Sequence, residues 1–242
     1  MGMADLVPNK ITFISILDAC ANEASLDEGR LLHSCLMEFQ YESELVVGNS
    51  LVNLYGKCGS LADAVRLFWK LPKINLSSWT AIITAYGQQG WGRETFLLSQ
   101  QMMENGEVPN EITFISVLSS CSHAGMVEEA WEIMFAMQKE CFVTARPEHF
   151  DCLVDLLGRA GLLMQLQAVI DNMPFHPGAN TWMAFLGSCK LHNNGSHATH
   201  LALHSLEVDS ATAAPYVLLS NICTTVGDDL EEDSAMLPQL KT

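Results

Sequence analysis

Basic side chains are scarce in this 242-residue sequence. It has 12 lysines and arginines against 28 aspartates and glutamates, which gives a formal net charge of -16. Nonspecific binding to nucleic acid depends on neutralising phosphates with such cations, so the composition opposes that mode of binding. Part of the acidic excess lies near the C-terminus and is typical of a solvated tail; these residues are Asp228, Asp229, Glu231, Glu232 and Asp233.

Long apolar runs, targeting signals and paired cysteines are missing as well. No apolar run approaches the roughly 18 residues that a membrane-spanning helix needs. Residues 1–9 contain neither an apolar secretory core nor an Arg- and Ser-rich transit peptide. The eight cysteines form no C-x-x-C pair, so the usual zinc and redox spacings are absent and we expect no metal or cofactor.

What the sequence does contain is an internal repeat. The letters PNKITFISILDAC at residues 8–20 return almost unchanged as PNEITFISVLSSC at residues 109–121. Glycines that follow similar apolar stretches mark the period, at spacings of 31, 35 and 36; they are Gly59, Gly90, Gly125 and Gly161. Such periods indicate a solenoid. The units are residues 10–44, 45–75, 76–110, 111–146 and 147–178, with weaker units at 179–212 and from 213.

Each unit has the pattern of two short helices. At about 100° per residue, positions 4, 8 and 11 of a unit share one helix face, and they are mostly apolar. A glycine at position 15 ends the first helix, and a second amphipathic stretch follows. The pattern predicts an all-α solenoid whose stacked helix pairs leave a concave inner wall. Position 11 holds four cysteines, which we interpret as small core residues; they are Cys20, Cys121, Cys189 and Cys223.

Positions 2, 5, 9 and 13 lie roughly 150° from that face and would line the inner wall. Position 13 is polar or basic in four successive units, with Lys57, Gln88, His123 and Arg159. Such a stripe suits a phosphate backbone. Basic residues are also common at helix C-termini, where the helix dipole favours positive charge. Both interpretations stay open on the sequence alone.

Short polar side chains occupy two further positions. Position 5 is Asn49 in one unit and Thr80 in the next, and these units end in Asn75 and Asn110. Amide and hydroxyl groups of this size can hydrogen-bond the Watson–Crick edge of a base. Asparagine and threonine are also ordinary residues of turns and helix starts. Taken alone, the pattern favours the ordinary explanation.

Several strings resemble one known family. VVGNSLVNLYGKCGSLADAVRLF and SSWTAIITAYGQQG look like the short and standard units of pentatricopeptide repeats, in the subclass that cycles long, short and standard units. PNEITFISVLSSCSHAGMVEEAWEIM followed by PEHFDCLVDLLGRAG looks like the final long and short units of that subclass. TWMAFLGSCKLH and PYVLLSN are similar to the E-type extension that follows them, so the resemblance covers residues 1 to about 227.

The resemblance implies binding to single-stranded organellar RNA, with one nucleotide per repeat read by position 5 and the last residue. Thr80 with Asn110 would select adenine, and Asn49 with Asn75 a pyrimidine. Position 2 would stack on bases, a role that Val46 fits and that Ser77 does not. The two long units do not fit the base-reading pattern, because they pair Ile14 with Glu44 and Ile115 with Arg146.

The same resemblance implies a site-recognition factor for cytidine-to-uridine RNA editing in a mitochondrion or chloroplast. The sequence has neither the H-x-E nor the C-x-x-C motif of a zinc deaminase, so we expect no enzymatic activity and a deaminase supplied in trans. The alternative is a tetratricopeptide-type scaffold for protein partners. Its steady 34-residue period differs from the lengths of 31 to 36 found here.

The ends of the chain carry the remaining expectations. Residues 1–9 look like the tail of an incomplete preceding repeat, 179–227 like a truncated E-type extension, and 228–242 like an acidic tail. The last unit lacks its second helix, so its exposed apolar residues would promote self-association. Three histidines of the extension would share one side of a helix, where we expect a surface or interhelical role and no metal; they are His197, His200 and His204.

Overall fold

The structure is a computed structural model that describes residues 9–41 and 44–192. These residues form eleven α-helices and no β-strand. In six consecutive units, the first helix begins at the first residue that the repeat pattern assigns to the unit. The helices are α1 (Lys10–Asn22), α2 (Leu26–Glu38), α3 (Leu45–Lys57), α4 (Leu61–Phe68), α5 (Leu76–Gln88), α6 (Gly92–Glu104), α7 (Glu111–Ala124), α8 (Val127–Lys139), α9 (Pro147–Arg159), α10 (Leu163–Asp171) and α11 (Ala179–Leu191).

The helices belong to two compact parts of the chain, which are divided between Thr144 and Ala145. In the N-terminal part, α3 packs against α1 and α5, and α5 packs in turn against α7. Helices α2, α4 and α6 each pack against the first helix of their own unit and that of the following unit. In the C-terminal part, α9 packs against both α10 and α11. This stacking of successive helix pairs confirms the predicted α-solenoid class.

Glycines in the left-handed region follow the first helices, as the repeat pattern predicts. Their φ angles lie between 70° and 78°, at Gly59, Gly90, Gly125 and Gly161. An L-residue with a bulky side chain is unfavourable at such angles, whereas glycine adopts them readily. The recurring glycine is therefore a helix stop, which lets the chain turn into the second helix of each unit.

The first helices are buried on two faces, of which the repeat pattern predicts one. Positions 4, 8 and 11 are largely buried as expected, although Cys20, Tyr86 and Phe150 are only half-buried. Positions 3, 7 and 10 form a second buried face that the pattern did not predict. In α3 this face consists of Val47, Leu51 and Leu54, all with no exposed surface. In α1, before which no described repeat lies, the same positions are exposed; they are Thr12, Ile16 and Ala19.

The second face lies against the preceding repeat, at very short distance. A Cβ atom added to Gly56, at position 12 of its unit, would lie 2.5 Å from the Cβ atom of Ala85, at position 10 of the next. The same pairing of positions recurs in the C-terminal part, between Gly158 and Ser188. Glycine at position 12 therefore lets the first helices of neighbouring repeats approach each other closely.

Two of the described cysteines are fully buried core residues, and burial suppresses the reactivity of two thiols. All seven described cysteines are free thiols, and Cys121 and Cys189 are buried. Burial raises the pKa of the Cys152 thiol to about 12 and that of Cys189 to about 11. The thiolate is the nucleophile and the metal ligand, so both thiols are unreactive at neutral pH.

Some expectations fall on residues outside the described ranges. They concern Cys223, the histidines His197, His200 and His204, the acidic tail 228–242, and self-association through the last unit. Among the described residues, no group of histidine, cysteine or carboxylate side chains could hold a metal ion. None of the helices in residues 9–41 and 44–192 has the length and apolar character of a membrane span, since the longest has 14 residues.

Candidate nucleic-acid interface

Asn110 caps the start of α7. Its side-chain Oδ1 accepts hydrogen bonds from the backbone N–H of Thr113, at 2.9 Å, and from the Thr113 hydroxyl, at 3.0 Å. A helix start leaves such N–H groups without partners inside the helix, and asparagine is among the residues that satisfy them best. Since an N–H group needs an oxygen acceptor, the cap fixes the orientation of the amide. The Nδ2 group remains as a donor that no described residue uses.

Thr80 reaches Asn110 through Thr113. The Thr80 Oγ1 atom lies 2.9 Å from Thr113 Oγ1, which in turn donates to Asn110 Oδ1. Thr80 Oγ1 also lies 2.8 Å from the backbone oxygen of Leu76, one turn earlier in α5. Thr113 is fully buried, whereas Thr80 and Asn110 are half-buried. Thr80 and Asn110, the two residues proposed to read one base, are therefore connected through the buried hydroxyl of Thr113.

Asn49 and Asn75 meet in the same way through Ser78. The Ser78 hydroxyl lies 2.8 Å from Asn49 Oδ1 and 3.0 Å from Asn75 Oδ1. Asn75 caps α5 because its Oδ1 accepts from the Ser78 backbone N–H at 3.1 Å. Asn49 Nδ2 lies 3.5 Å from the same Asn75 Oδ1 atom. Ser78 is fully buried and the two asparagines are half-buried. Each pair of predicted base-reading residues is thus brought together at a boundary between repeats.

Position 3 belongs to the candidate site, and the sequence reasoning missed it. In the C-terminal part, the hydroxyl of Thr181 at position 3 donates to Oδ1 of Asp151, at position 5 of the preceding repeat, at 2.5 Å. Thr113 and Thr80 occupy the same two positions of their repeats. Where position 5 is the apolar Ile14, position 3 of the next unit is the apolar Val47. In four pairs of neighbouring units a polar position 5 meets a polar position 3, or an apolar one meets an apolar one, and this signal is visible only when the repeat register is known. The pair of Ile115 and His149 departs from it.

The structure supports the interpretation of Asn75 and Asn110 as ordinary helix-start residues. Asn75 and Asn110 are helix caps, and Asn9 caps α1 with the same contacts, to the backbone and hydroxyl of Thr12 at 3.0 and 3.1 Å. Capping uses only the oxygen of each amide. It leaves one donor group per asparagine beside a polar position 5, which is the chemistry that an unpaired base edge requires.

Position 2 carries exposed apolar side chains in three repeats. Val46 is 60% exposed, and Ile11 and Ile112 are exposed to a similar extent. Ser77 occupies the position in the remaining repeat of the N-terminal part and is also exposed. Apolar groups left in water beside polar base-edge groups suit contact with the flat face of a base.

The basic stripe at position 13 is less uniform than its sequence suggests. Lys57 donates to the neutral Asn22 Oδ1 at 2.8 Å. His123 is exposed in the last turn of α7. Arg159 forms an ion pair with Asp155, one turn earlier, at 2.9 Å. Lys57 and Arg159 each lie in the last turn of a helix, so the dipole explanation also remains valid.

Comparison with known proteins gives these repeats a name. A family model for the PPR repeat matches residues 49–76, 77–107 and 112–142. These residues form pentatricopeptide repeats. The matched ranges overlap three of the units that the glycine period defines. They include Asn49, Asn75 and Thr80, and Asn110 lies between the second and the third match.

Two relatives from Arabidopsis thaliana carry the name of the repeat. Pentatricopeptide repeat-containing protein At2g13600 is 38% identical over 226 residues, which are 91% of this chain and 32% of that protein. Pentatricopeptide repeat-containing protein CRR2, chloroplastic, is 36% identical over 218 residues, which are 90% of this chain and 33% of that protein. The chain therefore spans about a third of the length of these relatives.

Solved structures agree on the architecture of the pentatricopeptide repeats. The crystal structure of PPR10 from maize has a TM-score of 0.65 at 16% identity, over 96% of this chain and 35% of PPR10. PPR10 in complex with an 18-nt psaJ RNA element has a TM-score of 0.60 at 17% identity, over 96% of this chain and 34% of that one. At such identities the likeness concerns the fold, which is the α-solenoid described above.

Proposed function

We propose that the chain binds single-stranded RNA in a sequence-specific way. The observation that carries the proposal is the hydrogen-bonded chain from Thr80 through Thr113 to Asn110. It holds the half-buried side chains of Thr80 and Asn110 at one boundary between repeats. The helix cap uses the amide oxygen of Asn110 and leaves its Nδ2 donor unused by the described residues. Support from a second direction is that PPR10, which shares the fold, has been solved in complex with RNA.

Adenine is the base that the first pair suits. Thr80 and Thr113 have two hydroxyl protons between them, so two of their three contacts, to Leu76, between the threonines and to Asn110, can be hydrogen bonds at one time. When Thr113 donates to Asn110, the Thr80 oxygen keeps a lone pair that can accept from the N6 amino group of adenine. Asn110 Nδ2 can then donate to adenine N1. Both polar groups on the Watson–Crick edge of adenine would be satisfied.

For the second pair, Asn49 with Asn75, we propose a pyrimidine, as the family resemblance implies. The finer function that we propose is recognition of a site for cytidine-to-uridine editing of organellar RNA, with the deaminase supplied in trans. Support comes from the resemblance of the C-terminal strings and from the relative CRR2, whose name describes it as chloroplastic.

Direct titration tests the proposal against a protein scaffold. Fluorescently labelled single-stranded RNA that contains a pyrimidine–adenine step is titrated with the purified chain, beside the same strand in a duplex. We expect binding to the single strand and much weaker binding to the duplex, because paired bases hide their Watson–Crick edges. Equal affinity for both forms, or for neither, would contradict the proposal.

Replacing Lys57 with glutamine tests the contribution of the basic stripe. Lysine contacts to phosphate do not depend on base identity, so we expect Lys57→Gln to weaken binding to all single strands equally. The slope of log K against log salt concentration should fall by about 0.7, the value for one contact with a single strand. Lys139→Gln is the matched control, since Lys139 is exposed at the end of the second helix α8. Equal salt slopes for the two variants would show that Lys57 makes no phosphate contact, and that its only role is to interact with the helix dipole.

A further inference from the structure

The loop after α8 holds an exposed aromatic ring on unfavourable backbone. Phe142 has a φ angle of 55°, and 84% of its surface is exposed. In the corresponding loops after α2 and α6, the left-handed residues are Gln40 and Gly106. The backbone around Phe142 is held by hydrogen bonds from Cys141 N–H to the Ala136 oxygen, at 2.9 Å, and from Val143 N–H to the Met137 oxygen, at 2.8 Å.

Nothing in the packing explains a phenylalanine at this place. A bulky residue in the left-handed region is an outlier, and glycine would adopt the same angle without steric cost. A ring that is 84% exposed buries too little surface to offset that cost. Strained residues that the surrounding structure holds in place occur preferentially at binding sites.

Phe142 borders a groove that includes one of the proposed base-reading residues. The groove is lined by Pro109, Asn110, Glu111, Ile112, Phe142, Val143 and Thr144. Asn110 lines the groove, and its amide oxygen is occupied by the helix cap. Ile112 is an exposed apolar side chain at position 2. These lining residues include no lysine or arginine, so they offer a phosphate no cation and suit a neutral, flat ring. An unpaired base of the same RNA strand has that chemistry.

We propose that Phe142 provides a stacking surface for one unpaired nucleobase of the bound RNA. The inference rests on the proposed RNA-binding function and extends it to a long repeat. That repeat has Ile115 at position 5, which cannot hydrogen-bond a base edge. Stacking on an aromatic ring accepts every base, because every base has a flat face. The long repeat therefore holds a nucleotide in place without reading it.

The test replaces Phe142 with glycine and with tryptophan. Phe142→Gly relieves the backbone and removes the ring, so we expect a higher midpoint of thermal unfolding together with an RNA affinity that falls by roughly 5- to 150-fold. Phe142→Trp keeps an aromatic face and should retain most of the affinity. RNAs that carry 2-aminopurine at one position at a time should show quenched fluorescence at one nucleotide with the parent chain, and no such quenching with Phe142→Gly.

Each other outcome overturns the inference in a recognisable way. If the parent chain binds single-stranded RNA and Phe142→Gly binds it equally well, the stacking site is refuted while the proposed function stands. If the parent chain binds no RNA, both fall. If Phe142→Gly leaves RNA binding unchanged but alters the sedimentation of the chain, the ring is a protein contact and the inference is refuted.

Discussion

Replacing Asn110 with aspartate is expected to change the preferred base from adenine to guanine at one nucleotide of the bound RNA. The carboxylate can keep one oxygen on the Thr113 N–H, now 2.9 Å from Asn110 Oδ1, and so preserve the helix cap. Its second oxygen replaces the Nδ2 donor with an acceptor, which suits the N1–H and N2–H donors of guanine. By analogy with good base-edge contacts in duplex readout, discrimination should change by about 1–3 kcal/mol.

The measurement is a pair of titrations against RNAs that differ only at that nucleotide, for the parent chain and for Asn110→Asp. Asn9→Asp is the matched control: Asn9 caps α1 with the same contacts to Thr12, and the 242-residue chain has no position-5 residue to pair with it. This control should preserve the preference for adenine. If Asn110→Asp weakens both RNAs equally, Asn110 supports the fold and reads nothing.

Replacing Gly56 with alanine is expected to lower the free energy of unfolding by about 1–3 kcal/mol, the usual cost of overpacking a core. The new Cβ atom would lie 2.5 Å from Ala85 Cβ and 3.3 Å from Ala85 Cα. Neither atom can rotate away, so α3 and α5 must move apart. Urea unfolding followed by circular dichroism measures the change.

Gly187 provides the control for helix propensity. It lies inside α11, and a Cβ atom added there would meet no atom of residues 9–41 and 44–192 within 4 Å. Gly187→Ala should therefore stabilise the chain by roughly 0.5–1 kcal/mol, since alanine is the better helix former. If both variants shift stability in the same direction, the close approach of neighbouring repeats at Gly56 is not what makes glycine necessary there.

The helix pairs and their ends could be predicted from the sequence because their causes are local. Gly59 and Gly161 stop helices through their own φ angles. Phe13 and Phe150, both at position 4, contact the aromatic rings of Phe39 and Phe175 in their own units. The period of the glycines also locates the first residue of each first helix. Local chemistry of this kind is visible in one sequence without any knowledge of its neighbours in space.

The second buried face could not be predicted in the same way. It includes Ser78, Thr113 and Ser120, which are fully or almost fully buried although their side chains are polar. They are tolerated because each hydroxyl has a partner across a boundary between helices, as Ser120 has in Thr95 at 3.2 Å. Such partners lie about 25 to 33 residues away in the chain, so a hydrophobic pattern does not record them.

The resemblance predicts the candidate site residues and their pairing, Asn49 with Asn75 and Thr80 with Asn110, but not how the two side chains of each pair are connected. The roles of Ser78 and Thr113 as bridges depend on distances of about 3 Å between side chains of different repeats. The sequence gives no signal for Phe142, because a single phenylalanine in a loop becomes unusual only when its φ angle and exposure are known.

Selection from a randomised pool of single-stranded RNA tests the central claim most directly. The purified chain is incubated with the pool, and the retained molecules are sequenced beside those retained by a Thr80→Ala, Asn110→Ala double variant. We predict that the parent chain enriches a pyrimidine followed directly by adenine, and that the double variant loses the preference at the second nucleotide while keeping it at the first. Retained molecules with no common step, or the same step retained by both chains, would contradict sequence-specific reading by these repeats.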